Sequence, residues 1–281
     1  MRLGVRAHDC AKAPFEQRIK NINDLGFTST QLALKKVVTE FPVDRFAMTP
    51  GMAYYVKDIF AQNKVDIAVL GCYLNLANPD EEILKEIIKT YEAHIRFASV
   101  LGCGMVGTET GAVNLEYVYT PENHTDKALD IFIKNLAKVV EYAEKMGVIF
   151  GIEPVVNHIM NDIERTKKVL DAIDSPNLQV IFDPVNLLSA ENYTRQHDII
   201  KGAYELFGDK IAVIHAKDFE IKGDTRTSIA AGTGGLDYDF LMKEVVVKKP
   251  HIHVLLENSV PETVLETKAF MEEKYLKALN S

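Results

Sequence analysis

Four consecutive apolar runs in the second half of the chain each end in a side chain able to ligate a metal. Val148-Ile-Phe-Gly-Ile leads to Glu153, Leu178-Gln-Val-Ile-Phe to Asp183, Ile211-Ala-Val-Ile to His215, and Val254-Leu-Leu to Glu257. A single carboxylate in such a place is ordinarily a turn residue or a helix N-cap, because its oxygen accepts from nearby backbone N–H groups. Four in succession exceed what capping requires. The intervals are 30 residues from Glu153 to Asp183, 32 from Asp183 to His215 and 42 from His215 to Glu257. One β/α unit takes about 30 residues or more, so the four occupy successive strand ends. Three carboxylates in one cleft repel, and their pKa values rise unless a cation is supplied. One imidazole with three carboxylates and no thiolate suits a single divalent ion, Mn²⁺, Zn²⁺, Co²⁺ or Mg²⁺.

Smaller signals surround this set. Lys217 lies two residues beyond His215, so the two-residue strand period puts it on the same face. It is a candidate for binding a substrate phosphate or carboxylate, or for orienting a hydroxyl; the alternative is an exposed lysine paired with Asp218. His8, Glu109 and His158 stand at or just beyond other strand ends and are further candidates for substrate contact. His251 and His253 fall toward the start of their strand, which places them at the opposite end, and His94, in mid-helix, reads as a surface residue. The run from Gly232 to Asp237 follows the seventh strand and lacks the Lys-Ser/Thr pair of a phosphate loop. It reads as a flexible turn shaping the substrate end, with Asp237 capping the next helix. With no Trp in the chain, an apolar substrate wall has to come from residues such as Phe15 or Tyr73.

These positions need a scaffold that aims eight strand ends at one place. Short β-branched runs fall at 3–8, 30–34, 65–73, 105–110, 148–155, 178–184, 211–218 and 251–257, with segments of helical period between them. The clearest helix is 79–102, with acids in its first turn, an apolar stripe of Ile83, Ile87, Tyr91, Ile95 and Ala98, and Gly102 as its stop. A second covers 125–145, with Leu129, Phe132, Ile133, Leu136, Val139, Val140 and Ala143 on one side. Strand runs nearly continuous in Val, Ile and Phe suit parallel strands buried on both faces. Eight such units make one (β/α)8 barrel over residues 1–281, of α/β class. A doubly wound sheet is the alternative, but the first strand runs into His8-Asp9-Cys10 without a glycine-rich turn.

Composition limits the partners. Forty acidic against 32 basic residues give a formal charge of −8, which works against a chain that must neutralise nucleic-acid phosphates. No apolar stretch is long enough to cross a bilayer, and the start lacks the apolar core of a secretory signal, so a cytoplasmic protein without a membrane partner is expected. Cys10, Cys72 and Cys103 show no paired spacing and read as core thiols.

Taken in order, Gly-Ile-Glu153-Pro, Phe-Asp183-Pro-Val-Asn186, His215-Ala-Lys217-Asp218, Gly232-x-Gly234-Gly-x-Asp237 and Leu-Glu257-Asn resemble the xylose isomerase-like TIM-barrel superfamily, in particular its sugar phosphate isomerase/epimerase branch. The resemblance in strand and helix order spans nearly the whole chain, and the motifs span 153–258. It implies that Glu153, Asp183, His215 and Glu257 hold one divalent ion. It also implies that Glu153 and Glu257 exchange the proton next to a ketone through a metal-bound enediolate, in an isomerase or epimerase of a small sugar or sugar phosphate. Asn186 stands where such proteins often carry His; an amide can bind a sugar hydroxyl but cannot shuttle a proton at neutral pH. The rivals are an inosose dehydratase-like lyase on the same site, an apurinic endonuclease-like protein, and a barrel that binds without turnover. The extra histidines of the nuclease branch are missing from Gly71-Cys-Tyr-Leu-Asn75, Gly107-Thr-Glu109 and Gly232-Thr-Gly-Gly. Homo-oligomers are common among the resembling families, so a homo-oligomer is an expectation by analogy.

Overall fold

The computed structural model describes residues 1–281. Eight parallel strands close a barrel: β1 (Arg2–Arg6), β2 (Ser29–Leu32), β3 (Asp66–Gly71), β4 (Met105–Glu109), β5 (Ile149–Glu153), β6 (Leu178–Phe182), β7 (Ile211–Ala216) and β10 (His253–Leu256). The remaining two, β8 (Asp218–Lys222) and β9 (Thr225–Ile229), form an antiparallel hairpin that leaves the barrel directly after β7. The surrounding helices are α1 (Phe15–Asp24), α2 (Leu34–Val37), α3 (Pro50–Gln62), α4 (Glu81–Leu101), α5 (Asp126–Met146), α6 (Ile163–Ile173), α7 (Gln196–Phe207), α8 (Tyr238–Lys248) and α9 (Val264–Leu279). Around the ring the order is β1-β10-β7-β6-β5-β4-β3-β2, and the seam closes where Val5 lies opposite Leu256. This is the (β/α)8 barrel that the alternating pattern predicts.

The two helices legible in the sequence form for the reasons their ends supply. Asp80 caps α4 by accepting from the N–H groups of Glu82 and Ile83 at 2.9 and 3.0 Å. Gly102, at φ 81°, ends it in the left-handed region that a side chain disfavours. Thr125 caps α5, and Gly147 ends it in the same way. Ile83 departs from the expected stripe and is exposed. His94 corrects another expectation. It is buried beside Tyr91, Ile95 and Ala98, with Nδ1 2.8 Å from the Thr90 carbonyl.

One apolar layer separates strands from helices, and a second fills the barrel. Val69, Met105, Ile181, Val213 and Leu255 point inward from five strands and make the interior a packed core, not a pore. No space remains at Gly107 of β4: a Cβ there would lie 2.6 Å from Val69 Cγ1 and 2.7 Å from Ile181 Cδ1. Gly107→Ala therefore overpacks the interior, and urea unfolding should show a loss of about 1–3 kcal/mol. An unchanged midpoint would mean that this layer yields without cost. No helix is long and apolar enough to cross a membrane.

Candidate metal centre

Each of the four strand-end residues reaches one place at the C-terminal mouth. Glu153 is the last residue of β5, Asp183 follows β6, His215 lies near the end of β7, and Glu257 follows β10. One ligand atom from each lies within 4.8 Å of the others, and all four side chains are buried. His215 Nδ1 lies 3.1 Å from both Glu153 Oε1 and Glu257 Oε1. In ring order these strands run β10-β7-β6-β5, so the two glutamates approach the cluster from its two flanks.

Neighbours hold each ligand in place. Asn186 Nδ2 donates to Glu153 Oε1 at 2.7 Å, so this amide, expected against substrate, is engaged in orienting a glutamate. Asp183 Oδ1 accepts from the Val185 N–H at 2.9 Å. Lys217 is buried, with Nζ 2.7 Å from Asp183 Oδ2 and 3.0 Å from Glu257 Oε2. Its partners are therefore members of the cluster and not Asp218. That carboxylate instead accepts from the N–H groups of Phe219, Gly232 and Leu236, which folds the glycine-rich turn. Asp237 caps α8 as expected, accepting from Phe240 N–H.

Burial and charge compete here. Burial alone would push the Glu257 carboxyl up, but Lys217, His215 and Arg6 outweigh it and hold the group well below the ordinary range. Burial would likewise lower the His215 imidazole, yet Glu153 and Glu257 raise it to about 9. Asp183, the most enclosed of the acids, is raised by burial against the pull of Lys217.

The donor set fits a divalent ion. His215 Nε2 is buried without a hydrogen-bond partner, and an uncompensated buried polar atom is costly. Three carboxylates converge on His215, with Lys217 and Arg6 supplying permanent positive charge beside them. Hard oxygen donors with one imidazole match Mn²⁺, Zn²⁺, Co²⁺ or Mg²⁺ chemistry.

The other predicted residues line the rim. Glu109 ends β4 opposite Glu153 in the ladder. Burial, then Glu153 and Glu257, raise its carboxyl to about 7. His158 Nδ1 lies 3.8 Å from Glu109 Oε2, and burial lowers this imidazole to about 4. His8 sits in a 3-10 turn after β1, half-buried, with Nδ1 unpartnered. Its Nε2 lies 4.0 Å from Asp9 Oδ1, and burial, then Arg6 and Lys36, lower the imidazole to about 4.

Sequence reasoning missed several groups. Arg6 Nη1 lies 3.2 Å from Glu257 Oε1 while Arg6 Nε holds Asp9 at 2.8 Å. The available signal was parity: Arg6 shares the strand face of His8. Tyr117 packs its ring on His158 with centroids 5.2 Å apart, and its hydroxyl is buried without a partner. Nothing in the 110–120 loop announced that. Gln31 donates through Nε2 to the Tyr73 hydroxyl, so the expected apolar wall at Tyr73 carries a polar pair.

A parallel barrel whose strand ends gather three carboxylates and an imidazole in one buried cluster defines a barrel with a candidate metal centre. The chain belongs to the xylose isomerase-like TIM barrel family, whose sequence pattern matches residues 19–274. It is 34% identical over 99 residues to a 3-oxo-isoapionate decarboxylase of Pectobacterium atrosepticum, a match covering 33% of this chain and 34% of that relative. The chain thus aligns with about a third of that protein's length. A D-tagatose 3-epimerase-like protein superposes over 100% of this chain and 98% of its own, with TM-score 0.78 and 19% identity. The IolI protein, solved with a zinc atom bound, superposes with TM-score 0.74 and 15% identity over 99% of this chain and 98% of its own. At these identities the two structures establish the shared fold.

Proposed function

We propose that the protein is a divalent-metal-dependent isomerase or epimerase of a small polyhydroxylated ketone, working by proton transfer at the carbon beside the carbonyl. The observation carrying this reading is the pair of glutamates, Glu153 and Glu257, each 3.1 Å from His215 Nδ1 and entering from the two flanks of one buried cluster. Epimerisation needs such a pair, one base on each face of the reacting carbon. The sugar epimerase and zinc-binding structures that share the fold support the same reading.

Glu153, Asp183, His215 and Glu257 would hold the ion. Once bound, it supplies Lewis acidity to a carbonyl and its neighbouring hydroxyl, which makes the adjacent C–H more acidic. Glu153, steadied by Asn186, takes or returns a proton on one face. Glu257, held ionised by Lys217 and Arg6, does so on the other. Glu109, His158 and His8 stand ready to bind hydroxyl groups from the rim. A panel of ketoses incubated in D₂O with Mn²⁺-loaded protein tests this. Deuterium should enter beside the carbonyl with conversion to the epimer or isomer. Loss of water without such exchange would replace the proposal with the dehydratase reading. Release of CO₂ from a 3-oxo acid, the reading that the decarboxylase match favours, would place the chain among lyases.

A further inference from the structure

The loops after β4 and β5 are tied together beside the cluster, and the tie brings two rings into contact. Asn123, 0% exposed, donates through Nδ2 to the carbonyls of Val118 and Asn157, each at 3.2 Å. Asn114 brackets the same Val118, accepting from its N–H at 3.0 Å and donating to its carbonyl at 2.9 Å. These bonds fix the residues next to Tyr117 and next to His158. Tyr117 is held at φ 56°, left-handed backbone that a bulky side chain rarely adopts and that persists only where the surroundings enforce it. Its ring covers His158, with centroids 5.2 Å apart and planes 35° from parallel.

His158 is thereby aimed at Glu109. Its Nδ1 is enclosed without a hydrogen-bond partner and lies 3.8 Å from Glu109 Oε2. That is about 1 Å beyond an N–H···O bond, and such contacts in ligand-free sites tighten when substrate arrives. The imidazole is 15% exposed although Nδ1 is not, so solvent meets the ring's other edge, which carries Nε2. Glu109 lies opposite Glu153, each ending its strand, and partners in a parallel ladder put their side chains on the same face. Glu153 faces the cluster, so Glu109 faces the mouth as well, and its side chain is 34% exposed there. Burial keeps the imidazole neutral at neutral pH, so one nitrogen carries a hydrogen and the other a lone pair.

We propose that Glu109 and His158 form a carboxylate–imidazole pair in which Nδ1–H points at Glu109 and Nε2 accepts a hydroxyl hydrogen of the substrate. The carboxylate decides the tautomer, because the nitrogen beside an acceptor keeps the hydrogen. The exposed nitrogen is then an acceptor, which selects a group with a hydrogen to give. An uncharged sugar hydroxyl fits; an ionised carboxylate or phosphate oxygen brings only lone pairs and meets the Glu109 charge. The substrate therefore presents a free hydroxyl to the β4–β5 side of the mouth. This rests on the function proposed above and adds to it the tautomer, the acceptor role of Nε2, and Tyr117 as a positioning residue that holds the ring.

The test is nitrogen-15 NMR of histidine-labelled, Zn²⁺-loaded protein at about pH 8, above the value of about 7 to which Glu109 is raised, with His158→Gln to assign the ring. Wild type should carry the His158 hydrogen on Nδ1, and Glu109→Ala should move it largely to Nε2. The same samples are then titrated with D-fructose, D-psicose, D-tagatose and L-sorbose, the last three each differing from the first at a single carbon. At least one should bind and displace the Nε2 resonance saturably, and its affinity should fall about tenfold in Glu109→Ala and in His158→Gln. The pair is refuted if wild type carries the hydrogen on Nε2, or if folded Glu109→Ala leaves the tautomer unchanged. A ketose that saturates the protein with Nε2 unmoved sinks the hydroxyl contact alone. If none of the four binds, the sugar reading beneath fails and takes the contact with it, whatever the tautomer.

Discussion

Glu257→Gln should reduce interconversion of the accepted substrate by about a thousandfold, near 4 kcal/mol of transition-state stabilisation. Gln keeps the size and an oxygen donor but cannot accept the proton. The substitution also removes the charge that Lys217 and Arg6 hold in place at 3.0 and 3.2 Å. Those two bases retain Asp183 and Asp9 as partners, so the fold should survive, with its far-ultraviolet spectrum unchanged. Glu153→Gln should be comparably inactive in interconversion. The two variants differ in one measurement. Each should still exchange the substrate proton with D₂O on the face its remaining glutamate serves, so that one labels a single epimer and the other its partner. If both variants interconverted epimers at the wild-type rate, the glutamates would not be the bases. If both labelled the same epimer, a third group would be serving one face, and Glu109, raised to about 7 beside Glu153, would be the first to replace.

The cluster was legible in the sequence because a barrel imposes a period. Glu153, Asp183, His215 and Glu257 each close an apolar strand, and strand ends about one β/α unit apart must share a rim. What they touch was not legible. Lys217 shares parity with His215, but β7 stops at Ala216 and the chain turns into a hairpin, which decides whether the ammonium meets Asp218 or Asp183. Arg6 was hidden for another reason. It sits in the first strand and Glu257 follows the last, and only closure of the ring, with Val5 opposite Leu256, makes them neighbours. β9 opens on the polar run Thr225-Arg-Thr-Ser228, which has no apolar alternation to mark it as a strand. His94 misled because a lone polar residue in mid-helix is usually solvated. Here both α4 flanks are covered, and the Thr90 carbonyl satisfies the ring. Periodicity reports which face a residue occupies; it does not report what arrives there from a distant part of the chain.

Addition of a divalent ion should raise the thermal midpoint of the metal-free protein by roughly 5–10 °C at saturating concentration. The reasoning starts from exposure. Glu153, Asp183, His215 and Glu257 are 2%, 0%, 0% and 4% exposed, so their polar atoms have exchanged water for one another. That exchange is incomplete at one atom: His215 Nε2 lacks a hydrogen-bond partner. An ion that binds only the folded cluster stabilises it by about 4 kcal/mol at a thousand times its Kd. A domain of this size converts each kcal/mol into about 2 °C. Mn²⁺, Zn²⁺, Co²⁺ and Mg²⁺ should rank by affinity for one imidazole and three carboxylates, with Mg²⁺ giving the smallest shift. Asp183→Asn should abolish the shift, since it removes a ligand charge that no neighbour can replace in a site closed to water. Calorimetry should then show loss of ion binding while the folded spectrum persists. A wild-type midpoint that neither rises with millimolar ion nor falls with a chelator would refute the metal centre. The three carboxylates would then be balanced by Lys217, Arg6 and the His215 imidazole, a structural ion network with no opening for the proton chemistry proposed.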